Sequence, residues 1–504
     1  MKWLFLETMM LRDKWHLYVL TILFLSVLTF RLFFSLSIPG FTGDNAYATL
    51  RQVDHISEHY GIMLYDDLSY GGRELLVSPL FYYFLTFSRF FISETFVFKI
   101  LPEVLLSLLV VVVYFITYEL TKEKGSALIA ALLSGFVPLV IGATLNSLSS
   151  YSLFFLIFLM LFFFLIKINQ GELAYVDWFV FLSFLLPLIH PGALIFVLAL
   201  IFYWILILAE SSSLKPVTTE LVLFSIFLVS LVEFVIFKEA FLEHGLSLIR
   251  YNLPSRIIED YFVEFSALSL LYSLGIVSVI LGCIGIYIAL FKTKSYNIFL
   301  FIGLILSVLL LLLLKLVDFS IGILFLSISF PILAGFSLRY IYRYLSNLRF
   351  SRTILYFNVL LVFSILLFSV LPSYTTAKSV IHYGVSEEEI RALSVLKDLP
   401  QGIVLADLEE GNMVNYYADK KTLLDRNFLL ISNANFVVRD AKLIFLGSSD
   451  LLTSQRIANN EITYVYFSFR TKERYNSTTF LYSENTQCVE TLHNETYQIF
   501  RVIC

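Results

Sequence analysis

The chain has 504 residues, of which 59% are hydrophobic and only 15% charged, against the roughly 25% charge usual for soluble domains. A net charge of −4, with no long basic run, excludes nucleic acid as the partner, because that binding needs clustered Lys and Arg. The same composition excludes a disordered chain and a small disulfide scaffold. Charge is also uneven, about 12% over residues 1–372 and about 22% over 373–504, so the two parts face different solvents.

Apolar stretches of about 18 or more residues recur through the first part, each able to cross a roughly 30 Å hydrocarbon layer as a helix. About eleven spans are expected, near 15–37, 95–118, 126–145, 152–168, 176–190, 192–209, 219–237, 266–290, 298–316, 320–338 and 353–372. The first is too long for a cleavable signal peptide and reads as a retained anchor. Lys and Arg concentrate in alternate loops, among them Lys122, Lys124, Lys215, Lys292, Lys294, Arg339 and Arg343. The N-terminus is therefore expected in the cytoplasm. An odd span count then places loop 38–94, loop 238–264 and residues 373–504 together on the extracytoplasmic side. Charges inside spans, namely Arg31, Lys99, Glu103 and Glu233, look scattered. Cys283 reads as a packing residue, whereas Cys488 and Cys504 lie in the outer part, where a disulfide can persist.

After the first span, Asp44 stands where a helix N-cap is expected, Gly61 where a stop is, and Tyr47, Leu50, Val53, Ile56 and Tyr60 recur at helical spacing. The expected element is an amphipathic helix lying on the outer surface, followed by a second short helix after Ser78-Pro79. A carboxylate beside lipid is costly unless it is used, which singles out Asp44 as a general base for an acceptor hydroxyl or an orienting group for an amide. The competing reading is a plain helix cap. Asp66 and Asp67 can coordinate a divalent ion, or form a polar turn. His55 and His59 share a helix face and suit zinc, though a solvated face is the commoner outcome. Arg51, Arg73, Arg250, Arg256 and Lys315 are the outer cations able to clamp a phosphate. No cofactor other than a divalent metal ion is suggested.

In its order of parts, the chain resembles the GT-C class of polytopic glycosyltransferases. One span leads into Gly43-Asp44-Asn45-Ala46-Tyr47, then an Arg51-bearing helix, Tyr70-Gly71-Gly72-Arg73 and Ser78-Pro79-Leu80-Phe81-Tyr82-Tyr83. Members carry an acidic residue at the Asp44 position as the catalytic group. The resemblance thus implies Asp44 as catalytic and Arg51, Tyr70, Arg73, Tyr82, Arg250 and Lys315 as substrate-binding residues. Asp407 to Asn427 further resembles the stretch of oligosaccharyltransferase catalytic subunits that begins Trp-Trp-Asp-Tyr-Gly. Here Leu408-Glu409-Glu410 precedes Gly411, so glycosylation of Asn-X-Ser/Thr acceptors is not carried over. Where many relatives place an arginine between spans 9 and 10, this chain has Lys315, able to meet a phosphate or to snorkel to the interface. His190-Pro191-Gly192 resembles a helix-breaking turn with a structural histidine.

The expected fold is mainly α, a polytopic GT-C-like membrane protein of residues 1–372 with a C-terminal α/β extracytoplasmic domain, 373–504. Its expected function is sugar transfer, in the plasma membrane, from a polyprenyl-phosphate-linked donor to a glycan, lipid or protein acceptor on the extracytoplasmic face, with membrane lipids around the spans. A lipid or glycolipid transporter and a non-catalytic scaffold are the alternatives. The absence of repeated halves in the sequence speaks against the transporter.

Overall fold

A computed structural model describes residues 2–503 except 211–213, 246–265, 348–351, 432–433, 448, 478, 485–486 and 495. Arg250, Arg256 and most of loop 238–264 therefore lie outside the described residues, as does Cys504, the expected partner of Cys488, which is disulfide-bonded. Among the described residues, eight helices are long and apolar enough to cross a membrane. The pair Lys124–Gly135 and Pro138–Thr144, bent by 44°, makes a ninth, and two shorter apolar helices occupy the places of expected spans 5 and 6. Phe227, Ile280 and Phe363 are exposed on the sides of this bundle, as lipid-facing side chains must be. The protein is an integral membrane protein.

The helix starting at Thr353 runs on through the expected 372 boundary to His382 and feeds the C-terminal part. There a five-stranded sheet forms around β3 (Ile403–Leu405), β4 (Lys421–Thr422), β5 (Ile462–Phe467), β6 (Val489–Asn494) and β7 (Gln498–Val502). Its order is β4-β3-β5-β7-β6, with β3 parallel to β4 and β5, and β7 antiparallel to β5 and β6. The expected helix at 387–397 and the buried strand after Gly402 are both present. Between bundle and sheet, β1 (Tyr65–Asp66) and β2 (Arg73–Glu74) form a hairpin whose tip bridges Ser69 to Thr422 on the sheet's edge strand.

One expectation fails. The Asn45–His59 helix does not lie on the surface: Ala46, Tyr47, Leu50, Val53 and Ile56 are buried. A single apolar core runs from the bundle through Tyr47 and Val53 to Met413, Val414 and Ala418. The periodicity was that of an amphipathic helix, but its apolar face is covered by protein.

Candidate functional site

The chain enters the site through residues 36–44, which have no regular structure and need partners for their backbone. Those partners are side chains that looked scattered in sequence. Arg31 and Glu103 form a buried ion pair, Arg31 Nε donating to Glu103 Oε2 at 2.6 Å. Glu103 Oε1 accepts the Asn146 N–H at 2.6 Å, and the Asn146 side-chain amide donates to the Gly40 carbonyl at 2.9 Å. Lys99 donates to the carbonyls of Ile38 and Gly40 at 2.5 and 3.0 Å. Thr42 Oγ1 donates to the Leu145 carbonyl at 2.6 Å. From the C-terminal part, Val385 pairs with Gly40 and Phe41 through the backbone. At Gly40 a Cβ would lie 2.6 Å from Val385 Cβ, so this close approach requires glycine.

These contacts fix Asp44 at the seam of bundle and sheet domain. Asp44 occupies the N-cap position of its own helix, yet its side chain makes no bond there. Its carboxylate instead meets the start of the Gly411–Ala418 helix. Oδ2 accepts from the Asn412 main-chain N–H at 3.1 Å and from the Asn412 side-chain amide at 2.8 Å, and Oδ1 accepts from the Met413 N–H at 2.8 Å. Burial pushes the Asp44 carboxyl up to about 7, against the pull of these three donors. A carboxylate poised near neutrality and held by exchangeable donors can accept a proton from a substrate.

The hairpin beside it is clamped by other residues singled out in the sequence. Arg51 grips Asp66 with two hydrogen bonds of 2.8 and 2.6 Å, and Asp66 Oδ1 also accepts the Leu68 N–H. Burial pushes the Asp66 carboxyl up, but the Arg51 guanidinium outweighs it and holds the group below the usual carboxylate range. Asp67 is exposed, so the two carboxylates suggested for a metal part company: one is bound to arginine and the other faces outward. Arg73 pairs with the buried Asp425 at 3.2 Å and donates to the Asn427 carbonyl. Tyr70 donates to the Asp425 carbonyl at 2.7 Å, and Ser69 to its carboxylate at 2.5 Å. Arg51, Tyr70 and Arg73 are thus committed to intramolecular partners. Tyr82 is half-buried on the Leu80–Arg89 helix, and Lys315 is exposed at a turn with left-handed backbone, φ 52°. His55 and His59 stack on each other at 4.4 Å, and among the described residues no group of three or more His, Cys, Asp or Glu could hold a metal ion.

The altered 407–411 stretch is turned inward. Glu410 accepts from Ser468 at 2.5 Å and from Arg470 at 2.7 Å, and Arg470 also pairs with the buried Glu389. Asp407 accepts from Arg474 at 2.6 Å. Sequence reasoning assigned no role to Asn412, Asp425 or Arg470; the framework likeness of 407–427 was the signal, but it does not say which side chains face Asp44.

No family sequence profile and no curated protein matches the chain. Solved structures do. The oligosaccharyltransferase of Archaeoglobus fulgidus in its apo form matches over 95% of this chain and 73% of that one, with a TM-score of 0.66 at 14% identity. The same protein tethered to an acceptor peptide with an NVT sequon covers 92% and 70%, with a TM-score of 0.65 at 14% identity. The archaeal oligosaccharyltransferase AglB from that organism, in complex with an inhibitory peptide and a dolichol-phosphate, covers 90% and 69%, with a TM-score of 0.60 at 14% identity. The expected distant likeness to oligosaccharyltransferase catalytic subunits is therefore a likeness of fold along nearly the whole chain, membrane bundle and C-terminal domain together.

Proposed function

We propose that this protein is a membrane glycosyltransferase of the GT-C type, with Asp44 as its catalytic carboxylate. It moves a sugar from a polyprenyl-phosphate-linked donor to a glycan, lipid or protein acceptor. The observation that carries this reading is the placement of one buried, near-neutral carboxylate at the seam of two parts whose joint fold is that of an oligosaccharyltransferase. A structure of the neighbour with a dolichol-phosphate and a peptide supports a lipid-borne donor and an acceptor from the aqueous side.

Residues 1–372 form the donor-holding domain and 373–504 the acceptor-side domain. The Lys and Arg asymmetry favours a cytoplasmic N-terminus and an extracytoplasmic site in the plasma membrane. In the proposed step the acceptor displaces Asn412 from Asp44 and gives up its proton to the carboxylate. The acceptor atom forms a bond to the sugar's anomeric carbon, and the bond from that carbon to the phosphate oxygen breaks, its electron pair leaving with the lipid phosphate. Attack from the face opposite the leaving group inverts the centre. Lys315 and Tyr82, with Arg250 from loop 238–264, meet the donor in this proposal; Arg51, Tyr70 and Arg73 act by holding the hairpin in place. Asp44 is surrounded by N–H donors and Asp66 is bound to Arg51, a poor fit to a hard cation, so no step is routed through a metal.

A non-catalytic scaffold is the second reading, favoured by the full occupation of both Asp44 oxygens. Protein in nanodiscs, given labelled polyprenyl-phosphate sugar and an acceptor pool, separates the readings. Transfer that falls at least about a hundredfold in Asp44→Asn supports catalysis. Equal transfer removes Asp44 from the mechanism, no transfer by either protein favours the scaffold, and movement of the lipid across the bilayer favours a transporter.

A further inference from the structure

Beyond Asp44, the same end of the bundle holds a second polar pocket to which no role has been given. Residues 145–150 join two helices with left-handed backbone at Asn146, φ 51°, and Leu148, φ 42°. Non-glycine residues keep that conformation only where their surroundings enforce it, and such strain gathers at functional sites. Between them Ser147 is held against the catalytic loop: a Cβ on Gly43 would lie 3.9 Å from Ser147 Cβ. Its hydroxyl is buried with no hydrogen-bond partner.

One turn on, the Tyr151 ring lies 4.6 Å from that of His190. His190 Nδ1 accepts the Gly192 N–H at 2.9 Å, which leaves the proton of the neutral imidazole on Nε2 as a donor. Opposite stands Asp318, buried, with Oδ1 lacking any hydrogen-bond partner. Arg426 is the cation whose field reaches both Tyr151 and Asp318, and it follows Asp425, whose charge reaches Asp44. Asp318 and Asp44 therefore lie on either side of one short segment of the C-terminal domain. Burial pushes the Asp318 carboxyl up, with Arg426 opposing.

We propose that Ser147, Tyr151, His190 and Asp318 form the subsite for the sugar ring of the donor, with Asp318 accepting a hydrogen bond from a sugar hydroxyl. This rests on the glycosyltransferase reading above. Two buried polar atoms without partners are costly in the free protein, and a hydroxyl-bearing ligand satisfies both. The aromatic faces suit the apolar C–H face of a pyranose ring. A bare phosphate is disfavoured beside the carboxylate of Asp318, which leaves the phosphate to Arg426 and Lys315 at the pocket's edge.

The test is a binding measurement on the full chain in nanodiscs, using radiolabelled polyprenyl phosphate and its glucosyl, mannosyl and N-acetylglucosaminyl derivatives, with the parent and Asp318→Asn. The expected result is a parent preference for at least one sugar-bearing lipid over the bare phosphate lipid. Asp318→Asn should lose at least about tenfold in affinity for that lipid, because its amide cannot take the charged acceptor role, while bare polyprenyl phosphate binds within about twofold and reports an intact fold. Equal weakening for both lipids, or for neither, overturns the subsite. So does binding of free methyl glycosides with no gain from the lipid, which moves the pocket to the acceptor side. If the parent binds no polyprenyl lipid better than phosphatidylglycerol, the glycosyltransferase reading itself falls and the subsite with it.

Discussion

Asn412 donates two hydrogen bonds to Oδ2 of Asp44, one from its main chain at 3.1 Å and one from its side-chain amide at 2.8 Å. A carboxylate on the bundle side thereby caps a helix of the sheet domain, and its own helix is left without that bond. Replacing Asn412 by Ala removes the side-chain donor and keeps the main-chain one. Thermal unfolding in detergent should show a loss of about 1 kcal/mol, the worth of one hydrogen bond. Transfer should be kept or raised, since the acceptor meets less competition at Oδ2. A fall as large as that of Asp44→Asn would instead make Asn412 part of the chemistry.

The pH dependence follows from the same contact. The folded Asp44 carboxyl titrates near 7, above its ordinary value of 3.8, so the folded state holds the proton more tightly. Its favourable contribution is complete below about pH 4 and is lost as pH rises to about 7. The melting temperature of the parent minus that of Asp44→Asn should decline across this window. Transfer should rise over the same range, because a general base acts only when deprotonated. In Asn412→Ala the inflection should move to higher pH, since a donor that favours the charged form is gone.

Arg73 and Asp425 form an ion pair with side chains 5% and 0% exposed. Truncating one partner leaves the other charge buried, which costs about 3–5 kcal/mol. Arg73→Ala should therefore unfold at markedly lower temperature and expose the 65–74 hairpin to protease. Arg73→Met with Asp425→Leu should recover much of that loss. Full additivity of the two single losses would show that the pair does not act as a unit.

Inside the bundle, Glu103 holds Arg31 with one oxygen and the Asn146 N–H with the other. Arg31→Met should destabilise by about 3 kcal/mol or more. It should also lower the transfer rate, although Arg31 is far along the chain from Asp44, because Asn146 carries Gly40 and so the loop leading to Asp44. Thermal unfolding alongside initial rates distinguishes this from a purely structural loss, which would leave the rate per folded molecule unchanged.

Gly411 starts the helix that meets Asp44, and a Cβ there would lie 2.3 Å from the Leu424 carbonyl oxygen. The obstruction is backbone and cannot turn aside. Gly411→Ala should cost about 1–3 kcal/mol and displace the helix start. With the amides of Asn412 and Met413 moved, the pH inflection for transfer should shift upward, as measured in a rate profile.

The spans were legible because apolar content is a local, additive property and needs no knowledge of neighbours. The Asn45–His59 helix, the Glu387–Lys397 helix and strand β3 were legible for the related reason that periodicity and caps are short-range. The burial of the first of these was not, because an amphipathic pattern says that a face is covered and not by what. Arg31, Lys99 and Glu103 looked unrelated until three separate segments brought them to one loop.

By itself, the sequence determined the division between lipid and water, the helices of the bundle, and the position of one carboxylate just past the first span. Only the tertiary structure decided what that carboxylate does locally. Its partners come from Asn412 and Met413, distant in the chain, and the charges once open to substrate, Arg51 and Arg73, are taken by Asp66 and Asp425. Charge and hydrogen-bonding capacity belong to a residue, but whether they are free or satisfied belongs to the contacts that folding makes, and those contacts join segments whose spacing in the chain carries no record of them.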